Sequence, residues 1–180
     1  MSIIKIKDKT FKTSLPEADI KKRIKEVAAR INQDMEGKTP VFLSVLNGAF
    51  MFTADLLKEI TIPCEVSFVK LASYEGVLST GKVREVIGLN VDIKDRSVII
   101  VEDIVDTGRT MRRMVETLQL HHPKEVHIAT LFVKPDKIEE PMDIKYSCFE
   151  IPNEFIVGYG LDYDQLGRNL REIYTLVDEE

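Results

Sequence analysis

The sequence has few of the features that mark secreted or metal-binding proteins. Its 180 residues include only two cysteines, Cys64 and Cys148, which lie far apart and outside any Cys-x-x-Cys motif. Such cysteines are typical of reduced thiols in a cytoplasmic protein, not of a disulfide framework. The first residues, MSIIKIKDKTFK, lack the apolar region and the cleavage site of a signal peptide. The three histidines form no metal-ligand pattern. We therefore expect a cytoplasmic protein.

Long apolar runs and an excess of positive charge are also missing. The longest mostly apolar window, residues 41–57, is interrupted by four polar residues, so it cannot span a membrane: Ser44, Asn47, Thr53 and Asp55. The net charge of −5 argues against a nucleic-acid partner. A chain of this length forms one domain and can bury roughly 70% of its unfolded surface without disulfides.

Strand and helix patterns alternate along the chain. Apolar runs predict buried strands at residues 41–46, 64–71, 83–90, 98–101 and 125–134. Helices are predicted between them, the first starting at a Ser14-x-x-Glu17 capping box and ending near Met35. Shorter apolar runs near Tyr146, Phe155 and Tyr174 indicate smaller strands. This alternation predicts an α/β fold with a doubly wound, mainly parallel sheet flanked by helices.

The most informative stretch is residues 98–110, VIIVEDIVDTGRT. A buried strand leads into two carboxylates, Glu102 and Asp103, and then into a short hydroxyl-rich turn, residues 106–110, that opens a helix. Ligands collect at this end of the strands in open α/β sheets, and a helix N-terminus favours a phosphate. The carboxylates would repel that phosphate unless they face neutral hydroxyls or hold a divalent cation. A phosphorylated sugar bound with a metal ion meets both demands.

This stretch resembles the phosphoribosyl diphosphate (PRPP) signature of the type I phosphoribosyltransferases. The simpler alternative is a strand followed by an Asp106 helix N-cap, since Asp is a favoured capping residue. The resemblance implies that Glu102 and Asp103 hold the ribose hydroxyls and Mg²⁺, and that Asp106 is the catalytic base. It also implies that the loop cradles the 5′-phosphate through Asp106, Thr107, Gly108, Arg109 and Thr110.

Further segments resemble the 6-oxopurine (hypoxanthine-guanine) branch of this family. Leu46, Asn47 and Gly48 match its pyrophosphate loop, which commonly has a cis peptide, here between Leu46 and Asn47. Ser73 and Tyr74 match the start of a loop that closes over the reacting centre. In the segment FIVGYGLDY, the resemblance implies that Phe155 stacks on the purine and that the main chain of Ile156 meets its edge. It assigns three further residues: Lys134 to the 6-oxo group, Asp162 to Mg²⁺ and Arg168 to pyrophosphate.

The resemblance implies an enzyme that transfers the 5-phosphoribosyl group from PRPP to N9 of hypoxanthine in purine salvage. Guanine is a second expected substrate, and the products are IMP or GMP and pyrophosphate. We expect a single domain, residues 1–180, with a core at about 38–135 and a hood formed by the N-terminal segment and about 143–180. The resemblance also suggests a homodimer or homotetramer, with no nucleic acid or membrane partner.

Two other patterns in the sequence point to different functions. Residues 76–82, GVLSTGK, match the core of a P-loop, but Val83 stands where the Mg²⁺-binding Ser or Thr is needed, and the following residues predict a strand. A non-catalytic PRPP sensor on the same fold would keep the signature. Such a protein usually adds a DNA-binding segment or a basic RNA-binding face, and it has no need of a purine pocket.

Overall fold

The protein was analysed as a computed structural model, which describes residues 2–72 and 84–177. Ten strands and three helices occur in these ranges. The strands are β1 Ile3–Ile6, β2 Lys9–Leu15, β3 Val41–Leu46, β4 Glu65–Ala72, β5 Arg84–Ile87, β6 Ser97–Val105, β7 Glu125–Val133, β8 Tyr146–Glu150, β9 Ile156–Val157 and β10 Ile173–Leu176. The helices are α1 Glu17–Asp34, α2 Phe50–Lys58 and α3 Arg109–Gln119, and a 3₁₀ turn spans Pro135–Lys137.

The larger sheet has the strand order β5-β4-β3-β6-β7-β8. All of its pairings are parallel except that of β5 with β4. Helices α1 and α2 pack on one face, against a core that includes Phe42, Ile99 and Leu131. Helix α3 packs on the other face, against a core that includes Leu43 and Ile100. The predicted doubly wound α/β fold is therefore confirmed.

Helix α1 shows why this packing forms. Its buried residues recur at helical spacing along one stripe: Ile20, Ile24, Val27, Ala28 and Ile31. Burying each large aliphatic side chain contributes up to about 1.5–3 kcal/mol, whereas the charged residues of the opposite face stay in water. Strand β6 lies between two strands and has helices on both faces, so residues 98–101 are all fully buried and read as a continuous apolar run.

The strand order reverses direction between β3 and β6. From β3 the chain passes through α2 to β4 on one side, and it later returns to β6 on the other side of β3. In an open α/β sheet, such a reversal leaves a crevice at the carboxyl ends of the two strands, because their loops diverge. The loop after β3 begins at Asn47 and the loop after β6 at Asp106. Both loops were assigned to the site from the sequence.

A smaller antiparallel sheet is built from the two ends of the chain, in the order β1-β2-β10-β9. The hairpin β1–β2 was not predicted. Strand β8, which the sequence boundaries placed in the hood, pairs with β7 in the larger sheet instead. Phe11 on β2 is fully buried, and with Val157 and Tyr174 it forms the core of this smaller sheet.

Two expectations about local structure were wrong in detail. The Ser14-x-x-Glu17 capping box does not form, because Ser14 lies in β2 and its hydroxyl donates to the carbonyl of Ile173 on β10. The N-cap of α1 is Pro16, which makes no side-chain capping bond. Strand β6 also extends through the acidic pair to Val105, so Glu102 and Asp103 lie within the strand. Among the described residues, no helix is long and apolar enough to cross a membrane.

Candidate active site

The acidic pair lies at the carboxyl-terminal end of β6. Glu102 is buried, and its Oε1 accepts a hydrogen bond from the backbone N–H of Asp103 at 3.1 Å. The Asp103 carboxylate accepts the N–H of Ile104 at 2.8 Å. Burial, and after it the charge of Asp103, raises the pKa of Glu102 well above its usual value. No cation of the described residues is among the causes of this shift, so the pair favours binding a proton or a cation.

A carboxylate at the amino-terminal ends of the same parallel strands differs from Glu102 in its partners. Glu125, at the start of β7, accepts hydrogen bonds from Lys38 at 2.7 Å and Ser97 at 2.5 Å, and it pairs with His127 at 3.1 Å. Lys38 makes the largest contribution, and together these partners lower the pKa of Glu125 to about 2. Glu125 has a cationic partner within the protein, as expected of a structural carboxylate, whereas Glu102 has none among the described residues.

The loop after β6 leaves the start of α3 open. The N-cap residue is Gly108, in the left-handed region with φ of 82°, and no side chain caps the helix. The alternative reading of Asp106 as the N-cap is therefore wrong. The N–H of Arg109 makes a long contact of 3.4 Å with the Thr107 hydroxyl. An uncapped helix start offers N–H donors and a positive dipole end to an anion.

The Arg109 side chain bonds Glu139, whose backbone lies beside Thr107. Its Nε donates to the Glu139 carboxylate at 2.6 Å. Any part that Arg109 plays at a phosphate therefore falls to its backbone N–H in this conformation. Thr107 and Gly108 are half-buried and buried, and Thr110 is exposed in the first turn of α3. The positions of these residues agree with a phosphate cradle, and their contacts with a ligand remain a prediction.

The loop after β3 packs directly against the acidic pair. The Leu46–Asn47 peptide is cis, as the resemblance implied. A Cβ atom added to Gly48 would lie 1.4 Å from Asp103 Oδ2, so only glycine fits between this loop and β6. On its other side the Gly48 carbonyl contacts Gly160, where an added Cβ would lie 2.1 Å from that oxygen. Gly48 therefore joins the acidic pair to the segment that follows β9.

That segment carries the two remaining residues assigned to pyrophosphate and metal. Arg168 pairs with Asp162 at 2.7 Å and donates to the Gly160 carbonyl at 2.9 Å. The other Asp162 carboxylate oxygen accepts the N–H of Gln165 at 2.8 Å. Through Gly160 and Gly48, these residues and Asp103 belong to one packed unit. Each oxygen of Asp162 accepts one of these bonds and keeps a further lone pair.

The residues assigned to the base lie at the end of β7 and before β9. Lys134 is buried, with 9% of its surface exposed, and its ammonium makes no hydrogen bond or ion pair with another described residue. Its backbone N–H donates to the carbonyl of Val105 at 3.0 Å, which places it beside the loop of Asp106. The ammonium has three N–H donors that can serve an acceptor. A bound ligand with a carbonyl oxygen would provide one.

Phe155 is 45% exposed, which leaves ring surface open for stacking. Its ring lies 5.9 Å from that of Tyr163 in an edge contact and 6.2 Å from that of Phe11. The Tyr163 hydroxyl donates to Asp8, in the turn between β1 and β2, at 2.8 Å. Ile156 follows in β9 and pairs with Thr175 of β10. The small sheet thus supports the ring that the resemblance assigns to the base.

The donor set fits Mg²⁺ only in part. Two neighbouring carboxylates, one buried and raised in pKa, favour a hard divalent cation that takes oxygen ligands. Within residues 2–72 and 84–177, however, no three histidine, cysteine or acidic side chains are grouped as a metal site. The expected ligands Glu102, Asp103 and Asp162 therefore do not form a preassembled set. A magnesium ion here would have to take ligands from the substrate or from water, as Mg²⁺ often does.

Sequence reasoning missed four residues that shape the site. Lys137 lies 3.5 Å from Asp106, and Glu139 holds Arg109. Phe11 and Tyr163 pack on Phe155. The signals for Lys137, Glu139 and Phe11 were weak, because a polar loop and the N-terminal strand carry no motif; Tyr163 ends the quoted segment FIVGYGLDY, but no role was assigned to it. Ser73 and Tyr74 lie outside the described residues, as does the P-loop-like stretch 76–82.

Comparison with known proteins gives consistent matches. A family model described as phosphoribosyl transferase domain matches residues 15–164. A hypoxanthine-guanine phosphoribosyltransferase of Streptococcus agalactiae is 40% identical over 164 residues, covering 91% of each chain. A hypoxanthine phosphoribosyltransferase of Salmonella typhimurium is 40% identical over 175 residues, covering 94% of this chain and 98% of the relative.

Solved structures agree with these relatives. A hypoxanthine-guanine phosphoribosyltransferase of Bacillus anthracis, with a HEPES molecule in its active site, has a TM-score of 0.86 and 36% identity, covering 93% of this chain and 97% of the other. A hypoxanthine phosphoribosyltransferase of Staphylococcus aureus has a TM-score of 0.87 and 39% identity, covering 92% and 91%. Both the fold and the sequence are thus similar over nearly the whole chain.

The glycine contact at the centre of the site leads to a prediction. Gly48→Ala should lower the transfer activity implied by the resemblance by about 10²-fold, because the added methyl group displaces Asp103 by an ångström or more. Gly37→Ala is the matched control. Gly37 has φ of 72°, so this substitution should cost about 1 kcal/mol of stability. No atom lies within 4 Å of an added Cβ there, so activity should be unchanged. Wild-type activity in Gly48→Ala would contradict the role of this contact.

Proposed function

Because the chain belongs to the phosphoribosyltransferase family, we propose that it transfers the 5-phosphoribosyl group of PRPP to N9 of hypoxanthine, and also of guanine. The products are IMP or GMP and pyrophosphate, which makes it a purine-salvage transferase. The single observation that carries the choice of base is Lys134, a largely buried residue beside the signature loop whose ammonium bonds no other described residue.

The uncapped start of α3 binds the 5′-phosphate. The N–H groups of residues 107–110 and the Thr107 and Thr110 hydroxyls serve as donors, supported by the helix dipole. The loop at Asn47 and Gly48, together with Arg168, faces the pyrophosphate. Arg168 donates to Asp162 and the Gly160 carbonyl and keeps further N–H donors for pyrophosphate oxygens. An acidic chain needs this local supply of donors to bind a polyanion.

Glu102 and Asp103 hold the ribose hydroxyls and, directly or through water, Mg²⁺. Their mutual repulsion and the burial of Glu102 support this assignment, because a cation removes an unfavourable charge that nothing else in the described protein offsets. When bound, Mg²⁺ neutralises charge on the leaving pyrophosphate. The resident carboxylates thus orient the sugar while they are themselves stabilised by binding.

The reaction forms the bond from purine N9 to C1 of the ribose as the bond from C1 to the pyrophosphate oxygen breaks. The electron pair of the broken bond leaves with pyrophosphate, and positive charge develops on the ribosyl group, as in glycoside cleavage. Asp106 accepts the proton from purine N7. Lys134 donates to the 6-oxo group and Phe155 stacks on the ring, while the Ile156 main chain meets the edge of the base.

We also propose that the protein assembles as a homodimer or homotetramer and works in the cytoplasm. Val66 and Phe68 lie two residues apart in β4, so their side chains are on the same face of the sheet. They are 46% and 40% exposed. By register this is the face of Ser44, which bonds Thr53 of α2, so the patch lies on the sheet face that carries α2. A second copy would cover these apolar side chains. Sedimentation equilibrium at micromolar concentration distinguishes this assembly from a monomer.

Transfer should be strictly dependent on Mg²⁺. Protein mixed with Mg²⁺, PRPP and hypoxanthine should release pyrophosphate, and excess chelator should abolish the release. The double variant Glu102→Gln, Asp103→Asn should raise the half-saturating Mg²⁺ concentration at least ~10-fold, because both carboxylates contribute to metal binding. Glu125→Gln is the control, since its carboxylate is satisfied at the other edge of the sheet. Full activity in excess chelator would refute the metal roles.

The enzyme should select 6-oxopurines over adenine. An ammonium has donors and no acceptor, so Lys134 can serve a 6-oxo group but faces a donor on a 6-amino group. Discrimination of this kind can reach ~10⁴-fold. Lys134→Ala should lower kcat/KM for hypoxanthine far more than for adenine, whereas Lys124→Ala, an exposed lysine before the other end of β7, should change neither. An unchanged ratio in Lys134→Ala would remove this residue from base recognition.

A further inference from the structure

A loop that carries no motif packs against the phosphate loop. We call residues 135–142 the clasp loop. The N–H of Glu139 donates to the Thr107 carbonyl at 3.3 Å, and its carboxylate accepts from Arg109 at 2.6 Å. Glu140 pairs with Arg112 of α3. The Met142 side chain lies against Gly108, with its Cε 3.4 Å from where a Cβ would be. These contacts fix the clasp loop relative to the start of α3.

Within the clasp loop, Lys137 faces Asp106. Its Nζ lies 3.5 Å from Asp106 Oδ1, and no other described cation pairs with this carboxylate. Asp106 Oδ1 is buried and accepts no hydrogen bond from the described residues. The ammonium of Lys137 is therefore the one described group that stabilises its charge. The N–H of Lys137 donates to the Lys134 carbonyl at 3.0 Å and so closes the 3₁₀ turn. Residues three apart in such a turn lie on the same side.

We propose that Lys137 is a positioning residue that holds the Asp106 carboxylate in place for proton transfer, an inference that rests on the proposed function. A carboxylate with one oxygen held by Lys137 presents its other oxygen to purine N7 in a defined orientation. The short 3₁₀ turn then links two tasks, because Lys134 receives the base and Lys137 holds the group that deprotonates it. Neither the motif nor the purine-pocket segment marks Lys137.

The Lys137–Asp106 ion pair should affect the reaction rate more than the stability of the fold. The Lys137 and Asp106 side chains are 37% and 44% exposed, and exposed ion pairs contribute little to stability. The clasp loop has two other ion pairs, at Glu139 and Glu140, so it does not need Lys137 as an anchor. By contrast, misplacing a catalytic group by about 1 Å can cost 10²-fold in rate. The effect of Lys137 should therefore be on turnover and not on folding.

The first experiment compares single variants. Lys137→Met keeps the aliphatic stem but removes the charge. It should lower kcat by about 10- to 100-fold, with KM for PRPP and hypoxanthine within about 2-fold of wild type and an unchanged melting temperature. Lys137→Arg should restore most of kcat. Glu140→Gln, which removes the ion pair with Arg112 in the same loop, is the matched control and should retain wild-type kcat. Wild-type kcat in Lys137→Met would overturn the proposal.

A double-mutant cycle tests whether Lys137 acts through Asp106. In an Asp106→Asn background, Lys137→Met should cause little further loss, because the group that it positions is already disabled. An equal loss in both backgrounds would overturn the positioning role. The proposed function fails separately, if the wild type releases no pyrophosphate or if Asp106→Asn turns over normally. Strong impairment of Asp106→Asn with normal Lys137→Met would reject the Lys137 inference alone.

Discussion

The close approach of Gly48 to Asp103 is the constraint on which the site depends. It joins the loop after β3 to the acidic pair of β6 across the point where the strand order reverses. Gly160 packs on the other side of Gly48, which brings Arg168 and Asp162 to the same place. Without this contact, the residues assigned to pyrophosphate, ribose and metal would belong to separate loops. The reversal of strand order creates the crevice. Gly48 lets the loop after β3 pack directly against β6 within it.

Charged groups are paired differently at the two ends of the parallel strands. At the amino-terminal edge, Glu125 is held by Lys38, Ser97 and His127, and its pKa falls to about 2. At the carboxyl-terminal edge, burial and Asp103 raise the pKa of Glu102, and Lys134 is buried without a described partner. A ligand with a metal ion, hydroxyls and a carbonyl oxygen would provide partners for both groups.

Much of the fold was predictable because its signals are local. Strand β3 was predicted with its observed bounds, and the signature of residues 98–110 gave strand, loop and helix in order. The cis peptide at Leu46–Asn47 came from resemblance and is confirmed. The hairpin β1–β2 was missed, because Lys9–Leu15 is mostly polar and becomes a strand only by pairing with β10. Ser14 was misread for the same reason.

Long-range contacts within the site could not be predicted. Lys137 meets Asp106 across 31 positions only because the turn after β7 folds beside the loop after β6, and their registers follow from the sheet. Asp8 reaches Tyr163 from the other end of the chain. The sequence identifies the residues at strand ends whose side chains can bind a ligand or transfer a proton. Which of them are paired, as Arg168 and Asp162 are, depends on tertiary packing.

The most direct test of the account is a crystal structure of the protein with bound IMP. The account predicts that the 5′-phosphate accepts hydrogen bonds from the backbone N–H groups of residues 107–110. It predicts that the purine 6-oxo oxygen lies within hydrogen-bonding distance of Lys134 Nζ, with the ring against Phe155. A nucleotide whose phosphate lies elsewhere than at the start of α3, or whose base leaves Lys134 without an acceptor, would contradict it.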